Sequence, residues 1–381
     1  MTELTTDSIV DSMADCLQGL RVVDLTRNLP GPFATRLLAD LGANIIKIEP
    51  KNGDPARAFG ELFAALNHGK ATEKHDFRDP KGIAAIKAHI KDADVMLDSF
   101  RPGVLTGMGL GAKTLHALNP KLVMVSITGY GVTAKDANES AAIEGSAIDE
   151  STINHPRASH DWAHKAGHDI NFMAMSGVLD QLKTANGEQA MPNVQFADLA
   201  GGSDDTAVIA LLAAVFAAQR TGKGRHIAVS MTHSLYQHLV MPKETGALVK
   251  SFSGQTPPPH LDFLGGLLPC YRLYRTLDNR YMAVGSLELK FWQGLCEALE
   301  LPELKESHWQ LGVMPNSPES LAAAKAVSDI FASQTLAHWQ QHFASIDVCV
   351  TPVLSLQEAK AHPLFAHQDQ YYSTPGWQLV E

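Results

Sequence analysis

The alternation of short apolar runs with helical segments is the feature that most constrains the fold of this chain. Residues 20–25 are apolar and rich in valine, 33–41 carry apolar residues at helical spacing, and 45–49 are a second apolar run. A strand, a helix and a second strand within about 30 residues form a βαβ unit, which requires parallel pairing and a right-handed crossover. The pattern recurs at 95–98 and 122–127. The sequence therefore predicts a doubly wound α/β domain with a parallel sheet.

Ligands of such sheets bind beyond the carboxyl ends of the strands, so the loops that follow them are the candidate binding regions. These loops are residues 27–32, 50–57, 100–103 and 129–131. Further along, the pattern predicts helices at 170–182 and 204–220, a strand at 227–231, a hairpin at 277–280 and a last strand at 348–354. We predict a large domain over 1–225 with an insertion at 133–165, a linker over 226–260, a small α+β domain over 261–345, and a return of 346–381 to the large domain.

Composition excludes several classes of function. The formal net charge is −10, from 31 Lys+Arg against 41 Asp+Glu, which argues against nucleic-acid binding. No run of 18 apolar residues occurs, so no membrane span is predicted. The four cysteines are far apart without a CxxC motif, which argues against a disulfide framework and a cysteine zinc site. The acidic N-terminus has no signal-peptide pattern, and we expect a soluble cytoplasmic protein.

Motifs in the first 131 residues resemble, in order, the opening of the family III CoA-transferases. They include Leu29-Pro30-Gly31-Pro32, Leu66-Asn67-His68-Gly69-Lys70, Ser99-Phe100-Arg101-Pro102-Gly103-Val104 and Ile127-Thr128-Gly129-Tyr130-Gly131. The resemblance implies a Rossmann-like large domain, a smaller domain and an interlocked homodimer that acts on an acyl-CoA thioester. The family contains both CoA-transferases and 2-methylacyl-CoA racemases.

Three further segments resemble the racemase branch. They are Ala166-Gly167-His168-Asp169-Ile170-Asn171-Phe172, Phe196-Ala197-Asp198-Leu199-Ala200-Gly201-Gly202 and Val284-Gly285-Ser286-Leu287-Glu288-Leu289-Lys290-Phe291. The resemblance implies that His168 and Asp198 are the catalytic acid/base groups and that Glu288 supports the histidine. The small-domain glycine-rich loop of the transferases has no counterpart here.

The chemistry fits these residue types independently. Inverting a carbon beside a thioester needs one acid/base group on each face and stabilisation of the enolate between them. His168, oriented by Glu288, would serve one face and Asp198 the other, while the amides of the helix start at Gly167 and Asp169 could bind the enolate oxygen. This proton transfer needs no metal or redox cofactor, since CoA is part of the substrate. In a transferase, Asp198 would instead attack the thioester and form an anhydride.

The phosphates of CoA require arginine, lysine or backbone amides. The resemblance implies that Lys70 and Arg101 contact CoA, with Arg57 and Arg78 as weaker candidates. Gly167 and Asp169 are also predicted to bind the CoA substrate. His68 and Gly107 stand where related sequences often carry basic residues. These departures, together with the insertion at 133–165, motivate a third hypothesis, an inactive protein that binds CoA or acyl-CoA. On sequence alone, each candidate acidic residue could equally be an ordinary helix N-cap or turn residue. Each candidate basic residue could equally be a solvated charge on the surface.

The insertion at 133–165 is polar and has no clear periodicity. It contains His155, His160 and His164, and the last two align with His168 at helical spacing, so a zinc site is conceivable. We favour the interpretation of a polar surface loop or lid without metal.

Overall fold

The computed structural model describes residues 15–133, 160–184, 186–254 and 263–365. The chain divides into two compact units. The described residues within 15–179 and 192–238 belong to the first, and those within 180–191 and 239–365 belong to the second. The first unit contains a six-stranded sheet and the second a three-stranded sheet. The predicted α/β class, with a large parallel domain and a smaller α+β domain, is confirmed.

The large sheet is parallel throughout its described strands. Its strands are β1 (Arg21–Asp24), β2 (Asn44–Pro50), β3 (Ala71–His75), β4 (Val95–Asp98), β5 (Val123–Thr128) and β6 (Arg225–Ser230). They lie in the order β3-β2-β1-β4-β5-β6. The chain reverses its direction of winding between β1 and β4, which are neighbours through the pair Val22 and Val95. This reversal is the topological switch point, where a crevice opens beyond the carboxyl ends of the strands.

The helices between residues 30 and 238 lie between these strands in the sequence or follow the last one. They are α1 (Pro30–Asp40), α2 (Gly60–Asn67), α3 (Pro80–Lys91), α4 (Val104–Gly107), α5 (Ala112–Leu118), α6 (His160–Ala163), α7 (Asp169–Ser176), α8 (Val178–Gln181), α9 (Ile209–Thr221) and α10 (Met231–His238), with a 3-10 turn at Pro55–Phe59 and π-helical turns at Ala197–Gly201 and Asp204–Val208. Helices on both faces of the central strands explain why Val95, Met96 and Leu97 of β4 are fully buried. Each such side chain contributes about 1.5–3 kcal/mol through burial.

Strand β3 was not predicted from the sequence. Its residues, Ala-Thr-Glu-Lys-His, are mostly exposed because β3 is an edge strand of the sheet. An edge strand without a buried face lacks the apolar run that marks the inner strands of a parallel sheet, so the periodicity carries no signal for it.

The second unit contains the predicted hairpin. Strand β7 (Tyr271–Arg275) pairs with β8 (Tyr281–Gly285), and β8 pairs with β9 (Val350–Pro352), all antiparallel. The helices are α11 (Val240–Ser253), α12 (Leu289–Ala298), α13 (Pro318–Phe331), α14 (Leu336–Phe343) and α15 (Leu356–Ala361), with short turns at Phe263–Leu267, Pro302–Leu304, Trp309–Leu311 and Pro363–Phe365. Trp292, Phe331 and Trp339 lie at the centre of its apolar core.

The boundaries between the two units differ from the predicted ones. Residues 226–238 belong to the first unit because β6 extends the parallel sheet beside β5, and α11 occupies most of the remaining predicted linker. Strand β9 stays in the second unit because it pairs with β8, so residues 346–365 do not return to the large domain. Residues 255–262 and 366–381 lie outside the described part of the chain.

One helical stretch is long and apolar enough to cross a membrane by length and composition alone. It spans Ala197–Thr221, and 44% of its most apolar window is buried within the protein. Core helices of soluble proteins meet the same criterion, so this single helix among the described residues does not establish a membrane span.

Candidate active site

A cleft of about 180 Å3 lies at the carboxyl ends of β1, β4 and β5. It is lined by Arg27, Asn28 and Pro30 after β1, by 99–102 after β4, and by 127–130 at the end of β5. These segments flank the switch point of the sheet, where ligands of doubly wound folds bind. Three of the four loops predicted to surround a ligand therefore contribute to the cleft, while residues 50–57 are not part of its lining.

Both predicted acid/base residues, His168 and Asp198, line this cleft. His168 is the N-cap residue of α7, and its extended backbone turns the chain into the helix. Its backbone N–H donates a hydrogen bond to Asn171 Oδ1 at 3.0 Å, which satisfies one amide at the helix start. The residue is exposed, and Gly167 beside it also lines the cleft. The imidazole is thus within reach of a ligand.

Asp198 lies on the π-helical turn Ala197–Gly201. The turn contacts Asp169, the residue that follows His168 in the chain. Asp169 Oδ1 accepts hydrogen bonds from the backbone N–H groups of Ala197 at 2.8 Å and Asp198 at 3.1 Å. Burial raises the pKa of Asp198 to about 7, and the neighbouring charge of Asp169 adds to the rise. A carboxyl group that titrates near neutral pH can act both as an acid and as a base, which suits proton transfer.

An aromatic wall borders the same cleft. The Tyr130 ring contacts Trp162 and Phe172 edge-on, each with ring centroids 5.1 Å apart. A Cβ atom on Gly167 would lie 2.6 Å from the Phe172 ring and 2.9 Å from Tyr130 Oη. A Cβ on Gly129 would lie 2.3 Å from the Phe172 ring. The glycines of both motifs are therefore required for the close packing of this wall.

Three cationic side chains also line the cleft: Arg27, Arg101 and Lys165. The Arg27 guanidinium lies over the Phe100 ring, 4.9 Å from its centroid, and Lys165 Nζ lies 3.9 Å from the centroid of Trp162. Arg101 was predicted as a CoA contact, whereas Arg27 and Lys165 were missed. Arg27 opens the loop after β1, so its position at the end of a strand was a usable signal. These three charges make the rim of the cleft attractive to an anionic ligand.

Lys70 does not line the cleft. Its side chain is fully buried, and Nζ donates to Pro32 O and Thr35 Oγ1, both at 2.7 Å, and to Asn67 Oδ1 at 3.1 Å. It also lies 3.4 Å from Asp24 Oδ2, the carboxylate at the end of β1. Burial lowers the pKa of Lys70 to about 8, against the opposing charge of Asp24. These contacts indicate a structural ion pair, and the CoA contact of Lys70 stays a prediction.

The two weaker CoA candidates lie outside the cleft as well. Arg57 donates from Nε to Glu49 Oε2 at 2.7 Å, and its guanidinium lies 4.0 Å from the centroid of the Phe63 ring. Arg78 is exposed after β3. Their contacts with CoA also stay predictions.

Glu288 belongs to the second unit, where it is the exposed N-cap residue of α12. The lining of the cleft, by contrast, comes from the first unit. Burial, followed by the charges of Glu288 and Asp347, raises the pKa of the Cys349 thiol. The support of His168 by Glu288 stays a prediction.

Much of the predicted insertion, residues 134–159, lies outside the described chain, and so does the side chain of His160. The conceivable zinc site at His160, His164 and His168 and the role of His155 stay predictions. Where the insertion rejoins the described chain, Trp162 and Lys165 contribute to the aromatic and cationic borders of the cleft.

A larger cavity of about 450 Å3 lies elsewhere in the first unit, along β1, β2 and the last turns of α3. Its polar side chains are Arg21, Asn44, His89 and Asp92. It does not contain His168 or Asp198 and does not lie at the carboxyl ends of the strands. We therefore assign the candidate active site to the smaller cleft, which both His168 and Asp198 line.

The model of CoA-transferase family III matches residues 17–376 of this chain. Human alpha-methylacyl-CoA racemase is 32% identical over 353 residues, covering 91% of this chain and 80% of the human protein. Mouse succinyl-CoA:glutarate CoA-transferase is 29% identical over 372 residues, covering 94% of this chain and 76% of the mouse protein. A solved CAIB/BAIF family protein from Brucella suis matches with a TM-score of 0.70 and 26% identity, covering 92% of this chain and 87% of that one.

These similarities span both units and confirm the resemblance seen in the motifs. They include relatives named as racemases and relatives named as CoA-transferases. The chain belongs to CoA-transferase family III, an enzyme family that includes both activities.

Proposed function

We propose that this protein is a racemase or epimerase of 2-methyl or other 2-substituted acyl-CoA thioesters. The observation that carries the proposal is the presence of His168 and Asp198 in one cleft at the switch point of the sheet. The similarity to human alpha-methylacyl-CoA racemase is consistent with this proposal.

The reaction is a 1,1-proton transfer. One group removes the α-proton, the electron pair of that C–H bond moves into the thioester to form an enolate, and the other group donates a proton to the opposite face. When neutral His168 is the base, protonated Asp198 is the acid, and the roles exchange in the other direction. Because the pKa of Asp198 is about 7, both of its protonation states are populated near neutral pH. The backbone amides at the start of α7 are suited to stabilise the enolate oxygen.

The other borders of the cleft suit the remaining parts of the substrate. Arg27, Arg101 and Lys165 would attract the phosphates of CoA. Tyr130, Trp162 and Phe172 would contact the acyl chain or the pantetheine arm. The proton transfer itself requires only these protein groups and the thioester.

We also propose an interlocked homodimer in which Glu288 of the partner subunit orients His168. Ile209 and Phe216 on α9 are 63% and 61% exposed, and apolar side chains exposed to this extent on one helix favour burial against another surface. Mixing Asp198→Ala with Glu288→Ala subunits tests this arrangement. With random reassociation about half of the dimers are hybrids, each with one intact site, so activity should recover to about a quarter of wild type. No recovery, with mixed dimers shown by mass spectrometry, would contradict it.

The central experiment is proton NMR of a stereopure 2-methylacyl-CoA in deuterated water. A racemase exchanges the α-proton and inverts the centre without any acceptor acid. We expect His168→Ala and Asp198→Ala each to reduce racemisation by at least about 100-fold while CoA binding persists. Loss of one base should leave residual exchange without inversion, because the remaining base acts on one face only.

Two other outcomes would reject the racemase. CoA transfer to a carboxylic acid, with an acyl anhydride trapped on Asp198 and no α-proton exchange, would assign a CoA-transferase. Saturable CoA binding with neither activity would assign an inactive acyl-CoA-binding protein.

A further inference from the structure

Two histidines and one glutamate converge at the edge of the large sheet, away from the lining of the cleft. Glu73 and His75 lie on β3, and His89 lies in the last turn of α3. Successive side chains of a strand point to opposite faces, so residues two apart share one face. Glu73 and His75 therefore project together toward the helix that carries His89.

The potential ligand atoms of these side chains are close together. Glu73 Oε2 lies 2.9 Å from His75 Nε2 and 3.0 Å from His89 Nε2, and all three ligand atoms lie within 4.8 Å of one another. In a tetrahedral zinc site with bonds of about 2.0–2.2 Å, ligand atoms are about 3.3–3.6 Å apart. Rotations of the three side chains can bring their ligand atoms from the present separations to the spacing of a zinc site.

The site is also accessible. The side chains of His75, His89 and Glu73 are 23%, 33% and 43% exposed, so an ion can reach them and water can take a fourth position. The larger cavity along β1 and β2 reaches the same region, because His89 is part of its lining.

The local electrostatics favour a cation. The last turn of a helix carries a partial negative charge from its unpaired carbonyl groups, and His89 lies in that turn of α3. The carboxylate of Glu73 adds a full negative charge between the two imidazoles. The chain as a whole carries a net charge of −10.

We propose that Glu73, His75 and His89 form a binding site for Zn2+ or a similar divalent transition-metal ion. Two imidazoles and one carboxylate are a donor set that zinc accepts, with water completing the tetrahedron. Each imidazole binds through Nε2 and keeps its remaining proton on Nδ1. The ion ties edge strand β3 to α3, and this role is independent of the proposed acyl-CoA chemistry in the cleft.

The test uses the full chain, free of any purification tag and stripped of metal with a chelator. Zn2+ is titrated in competition with a chromogenic chelator, and Co2+ serves as a spectroscopic probe of tetrahedral coordination. We expect one ion per chain. His75→Gln, His89→Gln and Glu73→Gln should each weaken zinc binding at least about tenfold, because each removes one of three ligands.

A matched control is available in the second unit. His338 and His342 stack on α14 with ring centroids 6.2 Å apart, so they are a histidine pair outside the proposed site. His338→Gln should leave the zinc affinity at its wild-type value. If His338→Gln abolishes binding, or if the three variants at β3 and α3 all bind zinc as the wild type does, the proposal is wrong.

A second measurement needs no variant. Zn2+ should protect His75 and His89 of the wild-type protein from modification by diethylpyrocarbonate, mapped by mass spectrometry, while His338 stays reactive. Zn2+ should also raise the melting temperature, because it binds only the folded arrangement of these ligands. Equal reactivity of His75, His89 and His338 at saturating zinc would overturn the proposal even if a variant failed to fold.

Discussion

Asp169 Oδ1 accepts a hydrogen bond from the backbone N–H of Asp198 at 3.1 Å. Asp169 directly follows His168 in the chain and is the first residue of α7. The Asp169 side chain thus links the chain segment that carries His168 to the backbone of Asp198. The same carboxylate raises the pKa of Asp198 through its charge, after the larger effect of burial.

Asp169→Asn should lower the pKa of Asp198. The amide oxygen of asparagine can still accept the two backbone hydrogen bonds, but the negative charge near Asp198 is lost. A carboxylate relieved of a like charge ionises at lower pH, so the limb of the pH–rate profile that reports Asp198 should move to lower pH. The measurement is the pH dependence of kcat/KM for α-proton exchange. An unmoved limb would show that the charge of Asp169 does not reach Asp198.

Asp198→Asn should change how stability depends on pH. The pKa of Asp198 is raised from 3.8 to about 7, so the folded protein binds more protons than the unfolded chain between these values. The contribution of Asp198 to stability is therefore present below about pH 4 and is lost as the pH rises through about 7. From pH 5 to pH 8, the variant should gain about 1–2 kcal/mol relative to wild type, after allowance for partial exposure.

Urea unfolding at both pH values measures this difference, with the exposed Asp92 changed to asparagine as the control. An equal stability difference between Asp198→Asn and wild type at pH 5 and pH 8 would contradict a raised pKa in the folded state.

Gly167→Ala should disturb the aromatic wall of the cleft. The added methyl group would lie 2.6 Å from the Phe172 ring. The ring is buried, so the surrounding packing opposes its displacement. Overpacking of this kind costs about 1–3 kcal/mol, and the displaced ring should reduce exchange at least about tenfold. Gly107→Ala is the matched control. A Cβ atom at this position would have no heavy atom within 4 Å, and the backbone φ of Gly107 is not positive. Activity of Gly167→Ala equal to that of Gly107→Ala would remove the packing argument.

Lys70→Met should destabilise the protein rather than act on CoA binding alone. The substitution leaves Asp24 buried with one of its two neighbouring lysine charges removed, since Lys47 remains. Breaking a buried ion pair by removing one partner costs about 3–5 kcal/mol. Thermal melts and CoA titration of the folded fraction separate the two roles. A variant with wild-type stability and weakened CoA binding would instead support the CoA contact implied by the family resemblance.

The sequence alone determined the class of the fold and the identity of the candidate acid/base residues. Apolar periodicity is a local property, so the inner strands β1, β2, β4 and β5 and the helices between them follow from it directly. The motifs around His168 and Asp198 also identify these residues without coordinates.

The tertiary structure decided which residues meet and which are buried. It added β3, whose exposed edge position leaves no apolar pattern, and it assigned β6 to the first unit through pairing with β5. It placed Lys70 in a buried ion pair and brought Arg27 to the cleft. The raised pKa of Asp198 depends on burial and on Asp169, a residue distant in sequence. Proximity and desolvation are set by the whole fold, and no local pattern of residues encodes them.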